Sequence, residues 1–215
     1  MNYIAERRLE EKDRRRGEIL DAAEVVAAIA GIDALTMDQV ARQGRISRAL
    51  LYVYFQDKSD LHFGLCERGL TILLGRFQTA ATPLATGLEQ IIAVGRAYVA
   101  FSREFPVHFE ALARFQAHEM ADAAATGCIG ECLAVGERVH QVMFAAIEAG
   151  QCDGSITATA GTPVAIAMTM WGFMYGIIQL ATTKDGVLRK YGLSAEMLID
   201  QALKTAADGL RPGRD

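Results

Sequence analysis

The sequence is poor in proline and lacks the pattern that builds sheets. Only four prolines are spread over 215 residues, and no stretch alternates strictly between apolar and polar side chains, as a half-buried strand requires. Ala, Leu, Glu, Arg, Gln and Met, all good helix formers, are plentiful. An all-α protein is expected. The four cysteines, Cys66, Cys128, Cys132 and Cys152, include no CxxC pair, so they suggest neither a disulfide framework nor a structural zinc site. Cys128 and Cys132 share a helical face, flanked in sequence by His118 and His140. Packing of small apolar thiols is the expectation there, with a metal or redox sensor as the alternative. An excess of positive charge is missing as well. The formal net charge is −4, so nucleic-acid binding must rest on a local basic patch rather than a global field.

Catalytic signatures are absent too: no Gly-rich phosphate loop, no HExxH and no GxSxG elbow, while His118-Glu119 lacks the second histidine of a zinc helix. No enzymatic activity, catalytic residue, cofactor or metal is expected. The N-terminal Met1-Asn2-Tyr3-Ile4-Ala5-Glu6-Arg7-Arg8 has no apolar core or cleavage site, so a cytoplasmic location is expected. From Ser155 to Thr183 there is no charge at all. That length is enough for a membrane span, but Thr169, Gln179, Gly172 and Gly176 interrupt it and no basic cluster flanks it. A helix buried in a core or subunit interface is favoured over a membrane-anchored protein.

What is present is a folded composition, 51% hydrophobic and 22% charged, with helical periodicity. Ile19, Leu20, Ala23, Val26, Ile29 and Ala30 form an apolar stripe on a first helix over about 6–30. Glu10 with Arg14 and Glu11 with Arg15 are spaced to pair on its wet side, and Gly31 ends it. Thr36-Met37-Asp38-Gln39 has the form of a capping box for a short second helix. Gly44 is expected to supply the turn, Ile46 to plug the core, and Ser47 to cap a third helix through Tyr54. Asp57 caps a fourth. Further helices are expected near 58–78, 85–103, 106–120, 122–149, 162–183 and 194–210, about nine in all, with a break from Gly150 to Gly161.

Arg16-x-x-Ile19-Leu20-Asp21-Ala22-Ala23, Leu35-Thr36-Met37-Asp38-Gln39-Val40-Ala41, and the run from Ile46 through Tyr52-Val53-Tyr54-Phe55-Gln56-Asp57-Lys58 to Leu61 together resemble the N-terminal domain of TetR-family regulators. The resemblance implies a helix-turn-helix DNA-binding domain over 1–60 and a helical ligand-binding and dimerisation domain over 61–215. It also implies a ligand-responsive transcriptional regulator, a repressor by preference, that binds a palindromic operator as a homodimer and is released by a small molecule. The helix after Ser47 is the reading helix, with Arg48, Ala49 and Tyr52 facing base edges and Leu51 and Phe55 facing inward. Arg forks onto guanine, and a small Ala lets the backbone approach. In the family, positions matching Thr36, Ser47, Tyr52, Tyr54 and Lys58 commonly touch phosphates. Arg42 and Arg45 add charge on the turn. Leu50 departs from the family pattern, which puts one phosphate or base contact in doubt and offers apolar contact with a thymine methyl instead. The basic residues Arg7, Arg8 and Lys12 to Arg16 either reach the minor groove or pair with the interleaved acids on a wet helix.

A single helix-turn-helix covers few base pairs, so a two-fold dimer is expected. Ala167, Thr169, Gly172 and Gly176, with Met197, Leu198, Ala202, Thr205 and Ala206, are the candidate dimer surface, their small side chains allowing close helix approach. Phe101, Phe105, Phe109, Phe115, Met120, Met143, Met168, Trp171, Met174 and Tyr175 are candidates to line a pocket for an apolar or aromatic effector, with His108 or Gln116 orienting a polar group.

Overall fold

In the computed structural model, residues 3–82, 84–115 and 127–213 are described. They form ten α-helices and no strand. In chain order these are α1 (Tyr3–Ala30), α2 (Met37–Gln43), α3 (Arg48–Tyr54), α4 (Lys58–Ala81), α5 (Gly87–Glu104), α6 (Pro106–Ala113), α7 (Gly127–Asp153), α8 (Pro163–Thr183), α9 (Asp185–Lys190) and α10 (Ala195–Leu210). The all-α expectation holds. The helix beyond the expected nine is α9, whose six residues are too few to carry a readable apolar period. The expected boundary between 120 and 122 lies outside the described residues.

Two helices run past their expected ends, α4 to Ala81 and α7 to Asp153. Gly150, read as a helix breaker, sits inside α7 because the start of α5 lies against it. A Cβ on Gly87 would collide with the Gly150 backbone, and a Cβ on Gly150 would collide with Ile156. The last residue of α7 and the turn after it then satisfy two free amides at the start of α5: Gly87 N donates to Asp153 Oδ2 (2.8 Å) and Leu88 N to Ser155 Oγ (3.1 Å).

By contact the chain forms two compact units, Met1–Leu70 with Phe105–Val135, and Thr71–Glu104 with Gly136–Asp215. Two of the three boundaries fall inside continuous helices, α4 and α7, and the third lies between α5 and α6. The first unit has a core of Ile19, Leu20, Ala23, Val26 and Ala27 from α1, Val40 and Ala41 from α2, Leu51 and Phe55 around α3, and Leu61, Leu65 and Cys66 from α4. Leu51 and Phe55 are fully shielded, as expected, each contributing roughly 1.5–3 kcal/mol of transfer free energy. Ile29 leaves the expected stripe. It is 82% exposed, because three residues on from Val26 the helix has turned about 60° outward, onto the side of Val25. Ala30, the last residue of α1, is also exposed, and Ala27 is buried instead.

In the second unit α10 packs on α8 and α5, and α5 on α8. Leu88, Ile91, Val94 and Val99 of α5, Ile166 and Ile178 of α8, and Ile199 and Leu203 of α10 are buried. Trp171 Nε1 donates to Tyr98 Oη at 3.2 Å.

Candidate nucleic-acid interface

Three local devices hold α2, α3 and the start of α4. Thr36 and Gln39 form the expected reciprocal capping box at the start of α2. Ser47 caps α3, accepting from Leu50 N at 3.1 Å, and Asp57 caps α4, accepting from Asp60 N at 2.8 Å. The turn between α2 and α3 departs from expectation. Gly44 is right-handed, with φ −76°, and the left-handed residue is Arg45, with φ 52°. Ile46 N donates to Ala41 O (3.0 Å) and Arg45 N to Arg42 O (3.2 Å), the paired bonds that close a helix when the residue after its cap is left-handed. Ile46 then packs, half-buried, on the core.

These devices present a face of α3 made of Arg48, Ala49, Tyr52 and Val53, all exposed. Around it Thr36, Arg42, Arg45, Ser47 and Lys58 are exposed, while Leu50 and Tyr54 are half-buried, Tyr54 against the core. Lys58 Nζ donates to Asp33 O at 2.6 Å, which places its charge at the start of α4. Arg48 pairs with Asp38 of α2, Nε to Oδ1 at 2.8 Å. Of the basic N-terminal residues, Arg16 turns inward. It is half-buried and pairs with Glu67 (3.2 Å) and Glu131 (3.3 Å), with its guanidinium 5.6 Å from the centre of the Phe55 ring. Arg14 and Arg15 pair with Glu11 and Glu18 on their own helix. The expected Glu11–Arg15 pair is thus present, and Arg14 takes Glu11 and Glu18 as partners.

The effector candidates divide between the units. In the first, His108 and Phe109 are buried, and Phe105 and Phe115 are half-buried, Phe115 edge-on to Phe63. His108 sits between two acceptors, with Nδ1 donating to Leu65 O (3.2 Å) and Nε2 lying 3.3 Å from Glu24 Oε1. In the second, Phe101, Met143 and Met174 are buried, Met168 and Tyr175 are half-buried, and Trp171 is exposed. A separate open cleft of about 450 Å³ there is lined by Gln78, Ala81, Thr82, Leu84, Gln90, Val142, Ala145 and Ala146, none of them a candidate. Met120 and Gln116 lie outside the described residues. Of the dimer candidates, Thr169, Gly172, Met197 and Thr205 are exposed, Gly176, Leu198 and Ala206 are half-buried, and Ala167 and Ala202 are buried within the chain, on helices that pack together.

The bacterial regulatory protein profile of the TetR family matches residues 19–63, and the tetracyclin repressor-like C-terminal domain profile matches residues 91–206, more than half the chain. The chain belongs to the TetR family. It is 28% identical over 90 residues to the HTH-type transcriptional activator FasR of Mycolicibacterium smegmatis, a match that covers 42% of this chain and 41% of that relative. Among solved structures, a protein of unknown function from Rhodococcus sp. RHA1 shares the fold with TM-score 0.73 and 23% identity, over 92% of this chain and 96% of that one. The AibR structure in complex with isovaleryl coenzyme A and operator DNA matches with TM-score 0.63 and 18% identity, over 89% and 97%. Membership of a family of regulatory proteins sustains the non-enzymatic expectation.

Two features of this TetR-family chain escaped the sequence reading. Val53, 74% exposed, belongs to the α3 face, and a seven-residue helix placed by its cap could have shown it, since Val53 is one turn beyond Ala49. Asp38, as the Arg48 partner, carried no local signal, because the pair forms only once α2 and α3 cross. Cys66, Cys128 and Cys132 are buried in the first unit and Cys152 is exposed. Burial pushes the Cys128 thiol up to about 11, and the neighbouring Cys132, with burial, raises Cys66 well above the ordinary thiol range. Inert thiols result. Among the described residues no group of three or more His, Cys, Asp or Glu is arranged to hold a metal ion.

Proposed function

We propose that the protein is a ligand-responsive transcriptional repressor of the cytoplasm that binds a palindromic operator as a homodimer. The observation that carries this reading is the capped α3 with Arg48, Ala49, Tyr52 and Val53 exposed together, a helix face of the size that fits the major groove. Arg48, Ala49 and Tyr52 read base edges. Thr36, Arg45, Ser47, Tyr54 and Lys58 touch phosphates and fix register, supported by their positions around that face and by helix starts that favour anions.

The functional division is a DNA-binding domain over 1–60 and an effector and dimer domain over 61–215. Dimerisation through α8 and α10 sets two reading helices about 34 Å apart. It is supported by α8, which is long and apolar enough to cross a membrane by length and composition while only 28% of its apolar window is buried. A partner helix from a second copy covers that surface. The effector is a small apolar molecule, and an acyl thioester is the first class to try, given the ligand of the AibR complex. Because α4 continues from the first unit into the second, an effector that prefers one arrangement of the body shifts the spacing of the reading helices. Its effect cannot exceed that preference.

The test is fluorescence anisotropy of the upstream promoter fragment with purified protein at low salt. Binding is expected to fall with rising salt, to be lost in an Arg48→Ala, Tyr52→Ala variant, and to weaken on titration of a series of acyl-CoA thioesters. Binding unaffected by that double substitution overturns the reading. Activation rather than repression is the second reading, favoured by the name of the Mycolicibacterium smegmatis relative, and a promoter–reporter fusion with and without the gene decides between them.

A further inference from the structure

We propose that Asp38 is a positioning residue that sets the Arg48 guanidinium for bidentate recognition of one guanine in each operator half-site. The inference rests on the reading of α3 as the groove-entering helix. Asp38 is the second residue of α2 and Arg48 the first of α3, so their pair bridges the two short helices across the turn. The atoms involved matter. Asp38 Oδ1 lies 2.8 Å from Arg48 Nε, the nitrogen nearest the stem, and the two terminal nitrogens that form the outward fork keep no partner among the described residues. The Arg48 side chain is 62% exposed, so the fork faces solvent, where a guanine O6 and N7 pair would enter.

The carboxylate is itself constrained. Its Oδ1 is shielded from solvent and accepts no in-line hydrogen bond, so the adjacent guanidinium is what offsets its charge. With Arg48 in place the guanidinium covers that oxygen, and swinging it away would give up the charge pair, at a cost moderated by the 44% exposure of the Asp38 side chain. Arg48 therefore reaches the groove with its orientation already restricted, and less side-chain freedom is lost on binding. An acid at a surface that meets phosphates lowers general affinity by repulsion. Its presence is accounted for by discrimination: a tethered Arg48 is held back from sliding onto a phosphate or a neighbouring base.

The test uses the full chain as wild type, Asp38→Ala, Asp38→Glu, Arg48→Ala and the Asp38→Ala, Arg48→Ala double variant. Each selects from a randomised duplex DNA pool, and anisotropy then compares the selected duplex with single-base replacements. Wild type is expected to prefer guanine at one position per half-site by about ten- to a hundredfold. Arg48→Ala is expected to abolish that preference and Asp38→Ala to reduce it by about fivefold or more, at that position only. Asp38→Glu restores it, the double variant matches Arg48→Ala, and the slope of affinity against salt is unchanged by Asp38→Ala, since no phosphate contact is removed. Circular dichroism confirms that each variant is folded.

Undiminished guanine preference in Asp38→Ala overturns the proposal, as does tighter binding with the preference intact, which would make Asp38 a competitor of DNA. A loss spread evenly over all positions, or rescue failing in Asp38→Glu, also overturns it. If wild type selects no sequence, the DNA-reading function itself falls, and the role of Asp38 with it.

Discussion

Arg45 shows how one residue can serve two demands. It closes α2 in a left-handed conformation, φ 52°, where a side chain costs roughly 1–2 kcal/mol and glycine none. The neighbouring Gly44 sits in ordinary right-handed geometry, so the glycine visible in the sequence marked the turn but not the strained position. The strain is explained if the Arg45 charge is needed at the DNA face. Arg45→Gly is expected to raise the unfolding free energy by about 1 kcal/mol and to weaken promoter binding while flattening its salt dependence. Urea denaturation and anisotropy at several salt concentrations measure both, and a variant no more stable than wild type would show that the turn is unstrained. The caps at Thr36, Ser47 and Asp57 were legible because each is a hydrogen bond to a backbone group three residues away. Arg16 was not, since Glu67 and Glu131 lie far along the chain.

At the scale of elements, the first unit is held by two imidazoles, His62 half-buried and His108 buried, that tie α6 to its neighbours. His62 of α4 donates from Nε2 to Ala111 O of α6 at 2.9 Å, and His108 of α6 donates to Leu65 O of α4 and faces Glu24 of α1. Burial holds both imidazoles below their ordinary value. In the unfolded chain they take a proton near pH 6.5, where the folded chain still resists it. Protonation thus favours unfolding: this contribution to stability is fully present above about pH 6.5 and is lost as pH falls through that value toward the folded pKa. The urea midpoint is expected to drop between about pH 7 and 5, above the carboxylate range, and a His62→Gln, His108→Gln variant is expected to flatten that drop. An unchanged midpoint in wild type would remove the imidazoles from the stability account. Sequence pattern offered His108 as a ligand contact. Its partners come from two other helices, which no local pattern could reveal.

For the whole molecule, the exposed apolar side of α8 is the surface on which the proposed dimer rests. Its mean apolar character permitted both a core helix and a membrane span, and the structure leaves Val164, Trp171, Phe173 and Leu180 exposed along it. A Cβ on Gly172 would meet nothing within 4 Å, so a bulky charge there spares the chain's own packing while obstructing a partner. Gly172→Glu is expected to keep its helical content, to sediment as a monomer in analytical ultracentrifugation, and to lose operator affinity by at least about tenfold through the missing second half-site. A Gly172→Glu protein that remains dimeric would place the subunit interface elsewhere. By itself the sequence determined the helical class, the capped ends and all of the α3 face but Val53, because these depend on periodicity and on bonds between residues a turn apart. Only the tertiary structure decided which apolar surface stays open, which arginines are tied down and which acid meets Arg48, because each depends on side chains that become neighbours only when distant helices pack.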